Sequence, residues 1–429
     1  MILSFGQIYG SEMQDEILAG LEDKINEVRL GPALNIENVI SALDDISKRI
    51  EAGEFDTLIG QLDEAAMYKE QAIELLSREG ITARIKNELG DSIPEGPESD
   101  TASEVHGKIR SSRVPLGTIF HIAAGNADVL PAYSLIEGLI CGNVNILKLP
   151  EADDGLTVML LKMLTDALPE VAGYIHVFDT PSSDIAAMKK MADMADAISI
   201  WGGDPAISAV RQMASSGCEL IEWGHKLSFC YISSSDITAH DEELKGLARH
   251  IFSTKQLLCS SCQVIYLDTD DIGELDRFCE HFIKLMEQAA AAVKISDIGA
   301  AAEAALRKRC EEIDRILEEE ETSKKRFSAA GCSLLRCSDS ELEISELWGN
   351  CLVKGLPKGD IINVLRKKKG YLQTAGLITD GSKEELTQIL IKCGINRVLK
   401  PSEMSVSFPC ESHDGKYPFE RYTRVVNYL

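Results

Sequence analysis

Two cysteines stand three apart in IFSTKQLLCSSCQVIYLD, residues 251–268. Cys259 and Cys262 could be half of a metal site, a redox pair, or a nucleophile beside a bystander. Zinc needs a second CxxC or histidines at ligand spacing. The nearest candidates, His250, Cys279 and His281, fall in helix-like patterns. A thioredoxin-like pair opens a helix after a strand, whereas this pair precedes a strand-like run. A nucleophile and buried structural cysteines remain, and on pattern alone the buried reading leads, because free cysteine is among the most buried types. Two carboxylates flank the pair in sequence: Glu222 in GCELIEWGHKLSFCYIS and Glu346 in ISELWGNCL.

The elements that must position these residues show in the periodicity. Residues 1–100 read as amphipathic helices, with apolar residues three and four apart in MQDEILAGLEDKINEVRL and TLIGQLDEAAMYKEQAIELLSREG. The Pro/Gly/Ser/Asp run GDSIPEGPESDTASE is a loop. Strand-like and helix-like runs then alternate. VPLGTIFHIAA (114–124), NVNILKL (143–149), YIHVFDT (174–180) and AISIWGG (197–203) are the strands. Helix-like runs lie between them, including ADVLPAYSLIEGLICG (127–142) and GLTVMLLKMLTDAL (155–168). This predicts an α/β fold with a mostly parallel sheet covered on both faces. Ligands of such sheets bind beyond the carboxyl ends of the strands. A second alternation begins near residue 235, with a long helix GELDRFCEHFIKLMEQAAAAV and a charged helix AAEAALRKRCEEIDRILEEEETSKKRF. No GxGxxG and no GxxxxGK is present, so a nucleotide cofactor would have to be held by other means.

The blocks come in a telling order. VPLGTIFHIAAGNADVLPAYSLIEGLICGNVNILKLPEADDG leads, followed by ISIWGGDP, EWGHK, the cysteine stretch and ELWGN. This series, over roughly residues 100–400, resembles the aldehyde dehydrogenase superfamily. QLLCSSCQVIYLD, with its Cys-Ser-Ser-x-Gln, and the His-Asp-Gly of SHDGKYPFERYTRVVNYL resemble the long-chain acyl-CoA reductases of the LuxC type.

The resemblance implies an aldehyde dehydrogenase-like α/β fold: two α/β domains with parallel sheets and an active-site cleft between them. The nucleotide-binding domain would span 1–235, with 400–429 packing back on it, and the catalytic domain 236–400. Cys259 takes the place of the nucleophile, and Cys262 reads as a bystander. Asn126 takes the place of the oxyanion-hole asparagine, although an Asn in a Gly-Asn turn is its rival. Glu222, 37 residues before Cys259, takes the place of the general base of hydrolytic aldehyde dehydrogenases. A reductase should not hydrolyse its acyl-enzyme, so thiol activation, protonation of the product and a structural role all stay open for it. Lys148 takes the place of the lysine that binds the adenosine ribose or 2′-phosphate, Glu151 that of a ribose-binding carboxylate, and Gly202 that of a glycine approaching the pyrophosphate or nicotinamide. Glu346 takes the place of the glutamate that grips the nicotinamide ribose. Glu151 suits NAD and the family resemblance suits NADP. The implied activity is reduction of a fatty acyl-CoA to the aldehyde with NAD(P)H through a thioester on Cys259. The implied partners are acyl-CoA, the nicotinamide cofactor, an acyl-protein synthetase and further copies of the chain. An aldehyde dehydrogenase using Glu222 as base and a non-enzymatic acyl carrier or scaffold are the alternatives.

Composition narrows the rest. The net charge of −25 opposes nucleic acid and anionic membranes at long range. Twelve scattered cysteines in a chain that opens MILSFGQIYGSEMQDEIL, without a basic leader, point to reduced thiols and a cytoplasmic protein. No apolar run reaches the length of a transmembrane helix.

Overall fold

The structure, a computed structural model, describes residues 1–59, 65–90, 103–105, 109–123, 130–151, 155–292 and 323–428, with a few positions between 299 and 313. The chain divides into two units, Met1–Gly224 with Ser407–Leu429, and His225–Val406.

The first unit is built on a seven-stranded sheet. Its strands are β1 (Ile2–Ser4), β2 (Gln7–Tyr9), β5 (Thr118–Ile122), β6 (Val144–Lys148), β7 (Ile175–Phe178), β8 (Ala197–Gly202) and β9 (Glu219–Gly224), in the order β2-β1-β7-β6-β5-β8-β9. Strands β5 to β9 are parallel, as the alternation predicts. Helices 36–51, 130–140 and 156–167 pack on one face and helices 14–30, 185–193 and 204–213 on the other. Helix Ile36–Glu51 shows why such segments are helical. Val39, Ile40, Leu43, Ile46 and Ile50 share one buried stripe, and the Asn35 side chain accepts the Asn38 N–H at 3.2 Å to cap the first turn.

Two readings need correction. Residues 2–9 are a hairpin rather than part of a helical segment. Phe5 and Gly6, at φ 49° and 71°, form its two-residue turn, and Leu3 pairs with Val177. Residues 114–124 are not one strand. β4 (Ile109–Pro115) pairs with β3 (Ser103–Val105) and with β17 (Thr423–Tyr428) in a separate antiparallel sheet, and β5 starts afresh at Thr118. The break falls at Gly117, at φ 137°, where a Cβ would lie 2.0 Å from the Asp196 carboxylate.

The second unit has its own seven-stranded sheet. β10 (Leu227–Ser233), β11 (Cys262–Leu267), β12 (Lys324–Ala329), β13 (Cys332–Cys337), β14 (Asn350–Gly355), β15 (Leu372–Thr379) and β16 (Arg397–Leu399) take the order β12-β13-β14-β11-β10-β15-β16. All pairings are parallel except β12 with β13. Helices Asp241–Ser253 and Ile272–Ala292 cover one face. Most of the charged helix expected over 301–327 lies outside the described residues. Its last residues, from Lys324, are strand β12, because they pair antiparallel with β13. Among the described residues no helix is long and apolar enough to cross a membrane.

Three histidines, His121, His176 and His250, are buried and pushed down to about 4 by that burial. Their pKa is lower in the folded state than the ordinary value, so unfolding takes up protons between pH 6.5 and 4 and stability falls with pH across that window. His176, held by Ser4 Oγ at 3.0 Å and the Gly173 carbonyl at 3.2 Å, isolates one of them. Replacing His176 with Gln should reduce the slope of unfolding free energy against pH near pH 5.3 by about 1.4 kcal/mol per pH unit, read from denaturant titrations.

Candidate active site

Cys259 sits where helix Asp241–Ser253 hands the chain to β11. The helix starts on three acidic residues, Asp241, Glu242 and Glu243, which suit its positive end. It closes where the Thr254 hydroxyl donates to the His250 carbonyl at 2.8 Å. Lys255 and Gln256, at φ 50° and 61°, then turn the chain back. A tight turn follows. Ser261 N–H donates to the Leu258 carbonyl at 3.0 Å, and Ser261 Oγ accepts the Leu258 N–H at 3.0 Å. Cys259 and Ser260 are the two central residues of that turn. The Ser228 hydroxyl of β10 donates to the Cys259 carbonyl at 2.7 Å, and Ser260 Oγ meets Ser405 Oγ at 2.7 Å. The Cys259 side chain is half-buried, whereas Cys262 is fully buried in the core under helices 241–253 and 272–292. The two thiols of the CxxC therefore have different surroundings, one at the turn and one in the core. The Cys262 N–H donates to His250 Nε2 at 3.2 Å, so the imidazole is neutral there.

Glu346 belongs to the same unit, in a turn leading to β14. Leu347 and Trp348 adopt φ 63° and 53°, and Gly349 adopts φ 81°, where a Cβ would strike Phe252 at 2.5 Å. Arg326 of β12 grips both Glu346 oxygens, with Nη1 2.8 Å from Oε2 and Nη2 on Oε1. Its Nη1 also donates to Ser333 Oγ at 2.8 Å, and Ser333 donates to Asn350 Oδ1 at 2.6 Å. The Glu346 carboxylate is thus fixed in position.

The other predicted residues lie in the first unit. Lys148 ends β6 and Gly202 ends β8, at the carboxyl edge of the sheet, with β5 between them. The chain lays down β5, β6 and β7 on one side and then crosses to β8 and β9 on the other, so the order reverses between β5 and β8. Dinucleotides bind at such a switch point. Lys148 is buried, and its Nζ donates to Ser182 Oγ at 2.9 Å. Burial lowers its pKa, against the pull of Glu151, which is exposed in the turn just beyond. Gly202 leads into Gly203, which caps helix Asp204–Met213, and a Cβ on Gly202 would meet the Ala206 methyl at 3.2 Å. Glu222, on β9, accepts both Arg211 bonds, Nε to Oε1 at 2.5 Å and Nη2 to Oε2 at 2.6 Å. Both carboxylate oxygens are thereby engaged by one guanidinium. Asn126 lies outside the described residues.

Sequence reasoning missed several groups. Trp201 and Trp223 stack with centroids 5.1 Å apart at the ends of β8 and β9, and His413 of the His-Asp-Gly turn packs edge-on at 4.9 and 5.1 Å from them. Gln256, Gln263 and Ser345 around the cysteine turn, and Arg326 on Glu346, were also missed. The signal for the first two was present: glutamines bracketing LLCSSC in a stretch that is otherwise apolar or small.

Residues 32–425 match the family described as acyl-CoA reductase (LuxC). The long-chain acyl-protein thioester reductase of Vibrio harveyi is 21% identical over 420 residues, covering 92% of this chain and 83% of that protein. The long-chain acyl-protein thioester reductase 2 of Photobacterium leiognathi is 29% identical over 163 residues, 37% of this chain, and this match spans only 34% of that relative. Among solved structures, the methylmalonate-semialdehyde dehydrogenase of Oceanimonas doudoroffii superposes with a TM-score of 0.71 at 15% identity, covering 100% of this chain and 97% of that one. The glyceraldehyde-3-phosphate dehydrogenase of Methanocaldococcus jannaschii, complexed with NADP, gives 0.69 at 12% identity, with 98% and 95% covered. The chain therefore belongs to the acyl-CoA reductase (LuxC) family and has the fold of the aldehyde dehydrogenases.

Proposed function

We propose that the protein is an oxidoreductase that reduces a fatty acyl thioester, carried by coenzyme A or by a protein, to the aldehyde. The observation that carries this reading is the half-buried Cys259 thiol on a turn pinned by Ser228 and Ser261, within a chain of this family. The Cys259 thiolate attacks the thioester carbonyl. The carrier leaves as its thiolate, which takes a proton from solvent, and the acyl group stays on Sγ as a new thioester. NAD(P)H, when bound, would supply the hydride for reducing this acyl group to the aldehyde, with Cys259 Sγ leaving as the thiolate.

The groups that would hold the nicotinamide cofactor suit it. Lys148 and the Ser182 hydroxyl offer an ammonium and a donor for the adenosine ribose or its phosphate, and Glu151 beside them offers ribose hydroxyls an acceptor. Gly202 and Gly203 add no side chain at the carboxyl end of β8, on that side of the switch point. Glu346, oriented by Arg326, would accept from the nicotinamide ribose. Asn126 would donate to the carbonyl oxygen as charge develops on it.

Glu222 separates this reading from aldehyde oxidation. Its carboxylate is committed to Arg211, and a reductase needs no water activation. Glu222→Gln should therefore keep aldehyde formation from palmitoyl-CoA with NADPH or NADH within about threefold of the parent, because no transition-state contact is removed. Gas chromatography of the aldehyde and thiol titration of the released coenzyme A check this. Acid produced from aldehyde without coenzyme A, and abolished by the same substitution, would favour the oxidative reading.

A further inference from the structure

Among the described residues, seven other than glycine adopt positive φ, and four of them lie on two turns of the second unit: Lys255 and Gln256 before Cys259, and Leu347 and Trp348 after Glu346. Such backbone costs free energy at each position and persists only where the surroundings enforce it. Here the two turns enforce each other. Trp348 N–H donates to the Lys255 carbonyl at 3.1 Å, and the Lys255 ammonium lies 5.5 Å from the centre of the Trp348 ring. The Gln256 side chain is the link. It is buried, with Nε2 donating to the Cys262 carbonyl at 3.0 Å and to Ser345 Oγ at 2.9 Å, and Oε1 accepting the Gly349 N–H at 3.0 Å. Gln263 closes the ring. Its Nε2 donates to the Gln256 carbonyl at 2.8 Å, and its Oε1 accepts from Ser345 N–H at 3.1 Å and Ser345 Oγ at 2.8 Å. A carboxamide fits here because both donors and acceptor are needed at one point. No charged or apolar side chain of that size supplies both.

We propose that Gln256 is a positioning residue that locks the Cys259 turn and the Glu346 turn into one rigid unit, so that the nucleophile and the carboxylate read as the ribose grip are set by the same three hydrogen bonds. It touches neither substrate nor cofactor. Its effect is geometric: an error of about an ångström in a reacting group costs on the order of a hundredfold in rate. The coupling rests on the functional reading above for the role of Glu346, but not for the behaviour of the Cys259 thiol.

The test therefore has one arm that needs no substrate. The alkylation rate of Cys259 by iodoacetamide, followed by peptide mass spectrometry, is measured in the parent, Gln256→Met, Ser345→Ala, Ser345→Thr and the control Ser340→Ala. The control removes a serine bond at least as short, from Ser340 Oγ to the Gly355 carbonyl at 2.6 Å, elsewhere in the unit. Gln256→Met and Ser345→Ala should each shift the rate by about fivefold or more in the same direction. Ser345→Thr, which keeps the hydroxyl, and the control should stay within about twofold of the parent. In steady state, Gln256→Met should raise the nicotinamide KM about tenfold and lower kcat, whereas a merely structural loss would reduce the amount of active enzyme and leave KM alone. If Gln256→Met fails to fold, Ser345→Ala carries both arms. Unchanged alkylation in the folded variants, or a change equal to that of the control, overturns the coupling. Should the parent make no aldehyde while the alkylation pattern holds, the functional reading fails and the coupling stands. Aldehyde formation without the pattern leaves the reverse.

Discussion

Cys259→Ala should remain folded and lose aldehyde formation from acyl thioesters by about ten-thousandfold or more, because the substitution removes the sulfur on which the proposed acyl intermediate forms. The turn is closed by backbone groups and serine hydroxyls. Its bonds run through the Cys259 carbonyl, Leu258 and Ser261, so the far-ultraviolet circular dichroism and thermal midpoint should match the parent. Cys262→Ala is the counterpart. Its thiol is buried in the core and donates to the Val264 carbonyl at 3.4 Å, so its loss should cost about 1–2 kcal/mol of stability with kcat within about threefold of the parent. If the two substitutions lowered the rate equally, the assignment of the nucleophile within the CxxC would be wrong.

Arg84→Met should destabilise the first unit by about 3–5 kcal/mol, since removing one partner strands buried charge. Arg84 is buried beneath helix Leu130–Ile140, the element that follows the segment carrying Asn126. Its Nη2 donates to Glu137 Oε1 at 2.6 Å and its Nε to Glu88 Oε1 at 3.2 Å, and its guanidinium lies 4.3 Å over the Phe419 ring. Glu88 in turn accepts the Phe419 N–H at 2.8 Å, which ties the C-terminal segment to the same charge cluster. Burial pushes the Glu88 carboxyl up to about 7 against the pull of Arg84. Without the guanidinium the Glu88 carboxyl should rise further. A carboxyl raised in the folded state contributes stability below its unfolded value near 4.5 and loses it as pH rises through the folded value, so the deficit of Arg84→Met should be larger at pH 8 than at pH 6. Glu88→Gln and Glu137→Gln added to it should recover part of the loss. Denaturant titrations at the two pH values check this, and a loss under about 1 kcal/mol at pH 8 would contradict it.

The alternation of strands and helices over 114–213 was legible because buried parallel strands are continuous apolar runs separated by helices of clear period. The hairpin at 2–9 and the three-stranded sheet were not. β4 finds its partner β17 more than 300 residues away, and no local period records that pairing. β12 was hidden by composition: Lys324, Lys325 and Arg326 look like solvated helix, yet Arg326 turns inward to Glu346. At the site, residue type and block order pointed to Cys259, Glu346, Lys148 and Gly202. What sequence could not give was the company each keeps. Glu222 is paired with Arg211 on a neighbouring helix, and Gln256 meets Ser345 and Gly349 some ninety residues on. These contacts exist only once the sheets bring distant turns together.

The most direct test is the intact mass of the protein after mixing with palmitoyl-CoA, followed by addition of NADPH or NADH. The account predicts a mass gain of one palmitoyl group, mapped to Cys259 by peptide analysis, labile to hydroxylamine and discharged as hexadecanal when the reduced nicotinamide is added. An acyl group found only on another residue, or one on Cys259 that the nicotinamide never discharges, would contradict it.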